Sequence, residues 1–174
     1  MCLSKPSSVL RVMTTDERFM HLAIEEARRS NQIPGAGDVG CVIVHNGEVV
    51  VSGLNEAELR HDPSAHAEIV TMRKLGEAIK STDFSGYSLY VTLQPCSMCT
   101  AACVWGKISR IVYGATRNDV HSMYFDVQHV NAADLIRDAY RRNIQIVGGV
   151  LSEECAQLYY KRGDHPPLAE QTNK

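Results

Sequence analysis

Two short segments restrict this chain more than anything else in it: His66-Ala67-Glu68 and Pro95-Cys96-Ser97-Met98-Cys99. Cysteines spaced like Cys96 and Cys99 lie one turn apart when they open a helix. Both thiolates can then reach a single ion, and the positive end of the helix favours the thiolate form. One imidazole and two thiolates make the protein complement of a catalytic zinc, which keeps its fourth tetrahedral position for water. The fold must therefore bring a helix start near His66 against another near Cys96. Glu68, close behind His66, then stands beside the metal without being a ligand, as a proton shuttle requires. Cys103, one turn further along the same helix face, reads as a packed core thiol, with a structural four-ligand zinc site as the alternative.

The rest of the chain supplies a scaffold for such a meeting. Thr14 and Glu17 form a Thr-x-x-Glu capping box, and Phe19, Met20, Ala23, Ile24 and Ala27 follow at helical spacing, which predicts a helix over 15–30. Val39 to His45 and Glu48 to Leu54 flank Asn46-Gly47, a dipeptide suited to a type I′ hairpin. Asp62-Pro63-Ser64 offers a helix start, with a helix running to Ile79, and Tyr87 to Leu93 is a strand by its Tyr, Leu and Val content. Cys96 to Trp105 is the next helix, with Pro95 in its first turn, and Ile111 to Tyr113 a short buried strand. A helix from Ala132 to Arg142, a strand from Ile144 to Val150 and a helix from Glu153 to Lys161 complete the pattern. Strands alternating with helices imply an α/β fold: a three-layer α-β-α sandwich whose mixed five-stranded sheet has helices on both faces. Residues 1–13 read as an N-terminal extension, 14–162 as the domain and 163–174 as a tail.

Composition narrows the function. At 174 residues, 44% hydrophobic and 22% charged, the chain suits one domain with a real core. Lys and Arg total 18 against 20 Asp and Glu, a net charge of −2, which argues against a protein that works by blanketing phosphate backbones and favours a small substrate. The six cysteines, Cys2, Cys41, Cys96, Cys99, Cys103 and Cys155, are unevenly spaced, and no signal peptide is visible beside them. The opening MCLSKPSSVLRVM holds too brief an apolar patch for a signal or membrane helix. A cytoplasmic location with reduced thiols and no membrane association is the expectation. A redox Cys-x-x-Cys would leave His66 and Glu68 unexplained, and a catalytically silent scaffold would not need Glu68.

His-x-Glu followed by Pro-Cys-x-x-Cys is the signature of zinc nucleobase deaminases. Over roughly residues 15–161 the chain resembles the cytidine deaminase superfamily, within it the branch holding tRNA adenosine deaminases, guanine deaminases and fungal-type cytosine deaminases. The run from His61 to Glu68 is especially similar to that branch. The resemblance implies a hydrolytic deaminase with one Zn2+ per subunit held by His66, Cys96 and Cys99. Zinc in such a site supplies an activated water, and Glu68 would carry protons to the ring and to the departing amine. Asn55 matches the asparagine that hydrogen-bonds the base, and the Ala67 backbone would help orient the reacting carbon. Homodimerisation is a further implication.

Similarity to guanine deaminases extends to Trp105, in the place of an aromatic that lines the base pocket, and to Asp119, Phe125 and Asp126. A core tryptophan is the other reading of Trp105. The chain departs from guanine deaminases in Met123-Tyr124 before Phe125-Asp126 and Val127 after, in the run Pro34 to Gly40, and in Gln94 where a Glu usually precedes Pro-Cys. The last twelve residues, GDHPPLAEQTNK, lack the Lys/Arg-rich helix by which tRNA deaminases resemble one another, although Arg141-Arg142 and Lys161-Arg162 could form a basic patch. The expected substrate is a free nucleobase, nucleoside or related aminated heterocycle, guanine-like or cytosine-like. Adenosine in tRNA ranks second.

Overall fold

Helix α1 (Thr15–Arg28) begins where the capping box predicts. In a computed structural model, which describes residues 12–125, 130–140 and 143–168, the Thr14 hydroxyl accepts from the Glu17 N–H at 3.2 Å. The Glu17 carboxylate accepts from the Thr14 N–H at 2.7 Å, so two unsatisfied helix donors are paired reciprocally. Strands β1 (Gly37–His45) and β2 (Glu48–Asn55) make the predicted hairpin. Asn46 and Gly47 both take positive φ, 51° and 80°, which a type I′ turn demands.

A short helix α2 (Ala57–Arg60) leads to α3 (Ala67–Ile79), β3 (Ser88–Leu93), α4 (Ser97–Trp105) and β4 (Arg110–Ala115). Helix α5 (Ala132–Asp138), β5 (Gln145–Gly148) and α6 (Ser152–Ala156) follow. The strand order is β2-β1-β3-β4-β5. Strand β1 is antiparallel to both neighbours, while β3, β4 and β5 are parallel. Consequently β2, β3, β4 and β5 all point the same way, and the helices that follow them start along one edge of the sheet.

Alternation along the strands divides the core into two layers. Val42, Val44, Tyr90 and Val112 pack with Phe19, Met20 and Ile24 of α1 and Cys155 of α6. Cys41, Ile43, Leu89, Val91 and Ile111 pack on the other face with Ala67, Met72 and Leu75 of α3, Cys103 of α4 and Ile136 of α5. This is the expected three-layer arrangement. No helix among the described residues is long and apolar enough to cross a membrane.

Several boundaries differ from the sequence reading. Asp62 does not start α3: its carboxylate accepts from the Ser64 N–H and hydroxyl, a local turn that competes with helix, and His66 becomes the N-cap. Helix α2 was not anticipated. Strand β4 is longer than its apolar triplet because parallel pairing with β3 continues to Ala115. Strand β5 stops at Gly148, and α6 ends at Ala156, where the chain turns to bury Tyr159. Helix α5 ends at Asp138, and Arg141 and Arg142 lie outside the described residues.

Two contacts fix α1 on the sheet. A Cβ at Gly40 would collide with the α1 backbone at Ala23 and Ala27, so only glycine permits this approach. Asp16 accepts two parallel hydrogen bonds from the Arg110 guanidinium, each 2.8 Å, and one from the Tyr90 hydroxyl at 2.9 Å. Gly40→Ala should cost more than about 2 kcal/mol by forcing the layers apart, measured by urea unfolding. Arg110 holds the Asp16 carboxyl below its ordinary value. The pair's contribution is thus fully present above the unfolded-state pKa of about 4 and fades as pH falls through the lower folded-state value. Wild type should exceed Asp16→Asn by about 1 kcal/mol at neutral pH, with the gap closing in acid; a pH-independent gap would contradict this account.

Candidate active site

Because β2 and β3 end at the same sheet edge, α3 and α4 open toward a common point. His66 is the N-cap of α3 and Cys96 the N-cap of α4, both with extended backbone, and neither side chain serves as a hydrogen-bond cap for its own helix. Cys99 follows one turn into α4, fully buried. The His66 Nδ1 atom lies 3.6 Å from Cys96 Sγ and 3.7 Å from Cys99 Sγ. A tetrahedral zinc with ordinary Zn–N and Zn–S bonds separates such donors by about 3.6 Å. These residues therefore fit zinc by both donor chemistry and spacing, and they form the metal-competent cluster among the described residues.

The electrostatics agree. Hydrogen bonding with the Cys99 thiol, together with His66, pulls the Cys96 thiol down to about 4 against the effect of burial. The same hydrogen bond and burial push Cys99 well up. Metal binding to such a pair requires both sulfurs as thiolates, so it would release the remaining proton. Glu68, in the first turn of α3, is only 4% exposed, and burial, then the Cys96 charge, raises its carboxyl to about 7. Thr100 donates from its hydroxyl and N–H to the Cys96 carbonyl, and Thr71 to that of Ala67, so both helix starts are braced from within.

Asn55 closes β2 beside this site, since the next residue's N–H, Glu56, donates to the Ala65 carbonyl at 2.9 Å. Its carboxamide oxygen accepts from the Ala57 N–H at 3.1 Å. Ala67 is fully buried at the start of α3. Cys103 packs in the core near Cys41 and is not part of the donor cluster. Trp105 is not a core tryptophan: it is 73% exposed at the end of α4, with its ring 5.8 Å from that of Tyr140. Asp119 accepts from the N–H and hydroxyl of Thr116, both at 2.7 Å, closing the turn after β4. Phe125 is buried in the α1-side core, and Asp126 lies outside the described residues.

One connection was invisible in the sequence. Gln94, immediately before Pro95-Cys96, is buried, and its Oε1 accepts from the Arg117 N–H at 3.1 Å. Its Nε2 is buried without a hydrogen-bond partner among the described residues. The metal-binding loop and the loop after β4 are therefore coupled through one side chain. Only the oddity of Gln at that position signalled it.

A model of the cytidine and deoxycytidylate deaminase zinc-binding region matches residues 13–115. The chain is 37% identical over 151 residues to a tRNA-specific adenosine deaminase of Buchnera aphidicola subsp. Baizongia pistaciae, covering 85% of this chain and 90% of that protein. A structure from work on A-to-I editing by tRNA:A34 deaminases at the wobble position of transfer RNA matches with a TM-score of 0.68 and 30% identity, over 81% of this chain and 98% of that one. The guanine deaminase structure from Bacillus subtilis matches with a TM-score of 0.56 and 30% identity, over 57% of this chain and 64% of that one.

The geometry separates metal binding from proton transfer. His66→Ala and Cys99→Ala should each lose zinc and activity together, whereas Glu68→Gln should keep stoichiometric zinc while ammonia release falls about 10²–10⁴-fold. Metal analysis alongside an ammonia assay decides it, and a fully active Glu68→Gln enzyme would remove Glu68 from the chemistry.

Proposed function

The chain belongs to the cytidine and deoxycytidylate deaminase zinc-binding family, hydrolytic zinc-dependent enzymes, and from that premise we propose that it deaminates adenosine to inosine in a tRNA substrate. The observation that carries this reading is the similarity to a tRNA-specific adenosine deaminase across 85% of the chain, with the His66, Glu68, Cys96 and Cys99 constellation intact within it. The composition-based order, small heterocycle first and tRNA second, is thereby reversed.

Zinc, when bound, would supply an activated water at neutral pH. His66, Cys96 and Cys99 hold it, and Glu68 takes a proton beside it, delivers it to ring N1 and passes the next to N6. Adenosine and water leave as inosine and ammonia. Asn55 donates from its NH2 end to an acceptor on the base, and the Ala67 backbone lines the approach. Burial around Glu68 and Ala67 excludes bulk water from the proton path. The working unit is residues 14–162, acting in the cytoplasm as a homodimer, for which the exposed Trp105 and Tyr140 offer aromatic surface.

A second reading, a free guanine-like base, is favoured by the Thr116–Asp119 turn and Phe125, which follow the guanine deaminase pattern, and by a C-terminal stretch with little positive charge. Ammonia release measured on an anticodon stem-loop, adenosine, guanine, cytosine and isocytosine separates the two. Turnover of the stem-loop with free bases ignored is expected; rapid guanine turnover with the stem-loop untouched would establish the second reading instead.

A further inference from the structure

The run Pro34 to Gly40, in which the chain departs from guanine deaminases, passes beside Asn55. Gly37 pairs with Asn55 at the open end of the hairpin, and the step from Gly37 to Gly40 then opposes the single step from Asn55 to Leu54. Such a bulge interrupts the ladder and re-aims the side chains around it. The space a side chain at Gly37 would take is filled by the Asn55 carboxamide. A Cβ there would lie 2.7 Å from Asn55 Nδ2, 3.2 Å from its Cγ and 3.3 Å from its Cβ.

Both walls of this contact are anchored. The Ser30 hydroxyl, buried in the turn after α1, donates to Asp38 Oδ1 at 2.5 Å, next to Gly37. The loop folds on itself as Ile33 N–H donates to the Ser30 carbonyl at 2.8 Å and Ala36 N–H to the Ile33 carbonyl at 3.0 Å. Gly35 meets α2, the position of its missing Cβ standing 3.7 Å from the Leu59 backbone. On the other flank, Asn55 Oδ1 accepts from the Ala57 N–H at the start of α2. The carboxamide is thus held by α2 at its oxygen and by Gly37 along its nitrogen side. Gly37 has no left-handed backbone to accommodate. What its position requires is the absence of a side chain.

We propose that Gly37 is a positioning residue for substrate recognition: lacking a side chain, it leaves the slot in which the Asn55 carboxamide is oriented toward the substrate ring. This rests on the base contact assigned to Asn55 above. The nearest colliding atom is the far end of a side chain, so Gly37→Ala displaces the carboxamide before it displaces the hairpin. A misplacement of about 1 Å can lower turnover by as much as about 10²-fold.

The zinc-loaded enzyme and its Gly37→Ala, Asn55→Ala and doubly substituted variants test this by two readouts. The first needs no substrate. In ¹⁵N-labelled protein the Asn55 side-chain NH2 signals, identified by their loss in Asn55→Ala, should shift in Gly37→Ala while zinc stays stoichiometric. The second is kcat and KM for whichever stem-loop or base of the substrate panel the enzyme turns over. Gly37→Ala should lower kcat/KM about tenfold. In the Asn55→Ala background it should change kcat/KM by less than about twofold, because the group it displaces is gone. Unmoved NH2 signals, full activity of Gly37→Ala, or losses that multiply in the double variant overturn the proposal. If Gly37→Ala folds poorly, the double variant, which has no carboxamide to collide with, should recover the thermal midpoint of Asn55→Ala; failure to recover it overturns the proposal as well. Wild-type kcat/KM in Asn55→Ala would remove the base contact and the proposal with it. Turnover of guanine in place of the stem-loop would instead overturn the tRNA substrate and leave the role of Gly37 intact.

Discussion

The positive ends of α3 and α4 point at one another across the site, and the rest of the structure depends on how that repulsion is neutralised. Each helix N-terminus carries roughly half a unit of positive charge, and the parallel run of β2 and β3 forces both to the same sheet edge. The residues at the convergence are a Cys96 thiol pulled down by its hydrogen bond from Cys99, the Cys99 thiol, which that bond and burial push well up, and the buried Glu68 carboxyl. A cation bound between them would complete the arrangement, because helix N-termini favour anionic ligands such as thiolates. Fold and metal site are therefore one electrostatic solution.

The portions of this arrangement that the sequence discloses are those written in local chemistry. A capping box, an Asn-Gly turn and a Cys-x-x-Cys at a helix start each act within a few residues, so Thr14, Asn46 and Cys96 could be read directly. What stayed hidden depends on partners distant in the chain. The start of α3 moved because Asp62 prefers its turn with Ser64, and β4 lengthened because β3 offers it a ladder. A core position for Trp105 was open by residue type, yet α4 ends with it exposed beside Tyr140, a placement that helix length and the position of α5 decide.

Charge shows the same division. A net charge of −2 constrains solubility and long-range steering, not the field inside a cavity. Arg117 and Arg162 are far apart in sequence, and each looks like an ordinary solvated residue until the loop after β4 is hydrogen-bonded to the C-terminal chain. Summed composition says little about recognition, which is set over a few ångströms where the Debye length leaves interactions nearly unscreened.

Gln94 illustrates why a single neutral atom pair matters in such a setting. It is 3% exposed, two residues from Cys96, and bonded through its own N–H to the Ala115 carbonyl at 2.8 Å. A carboxylate there would accept from Arg117 equally well, but it would add a buried negative charge to a region already holding Cys96 and Glu68, raising the cost of ionising both. The carboxamide keeps the acceptor for Arg117 and adds no charge, at the expense of a buried Nε2 donor whose missing partner costs about 1–3 kcal/mol. That cost is set against the price of burying a further negative charge beside Cys96 and Glu68. Negative charge beside the metal loop is thereby confined to the groups that bind the ion and the one that moves protons, while the loop carrying Arg117 stays mechanically attached to them.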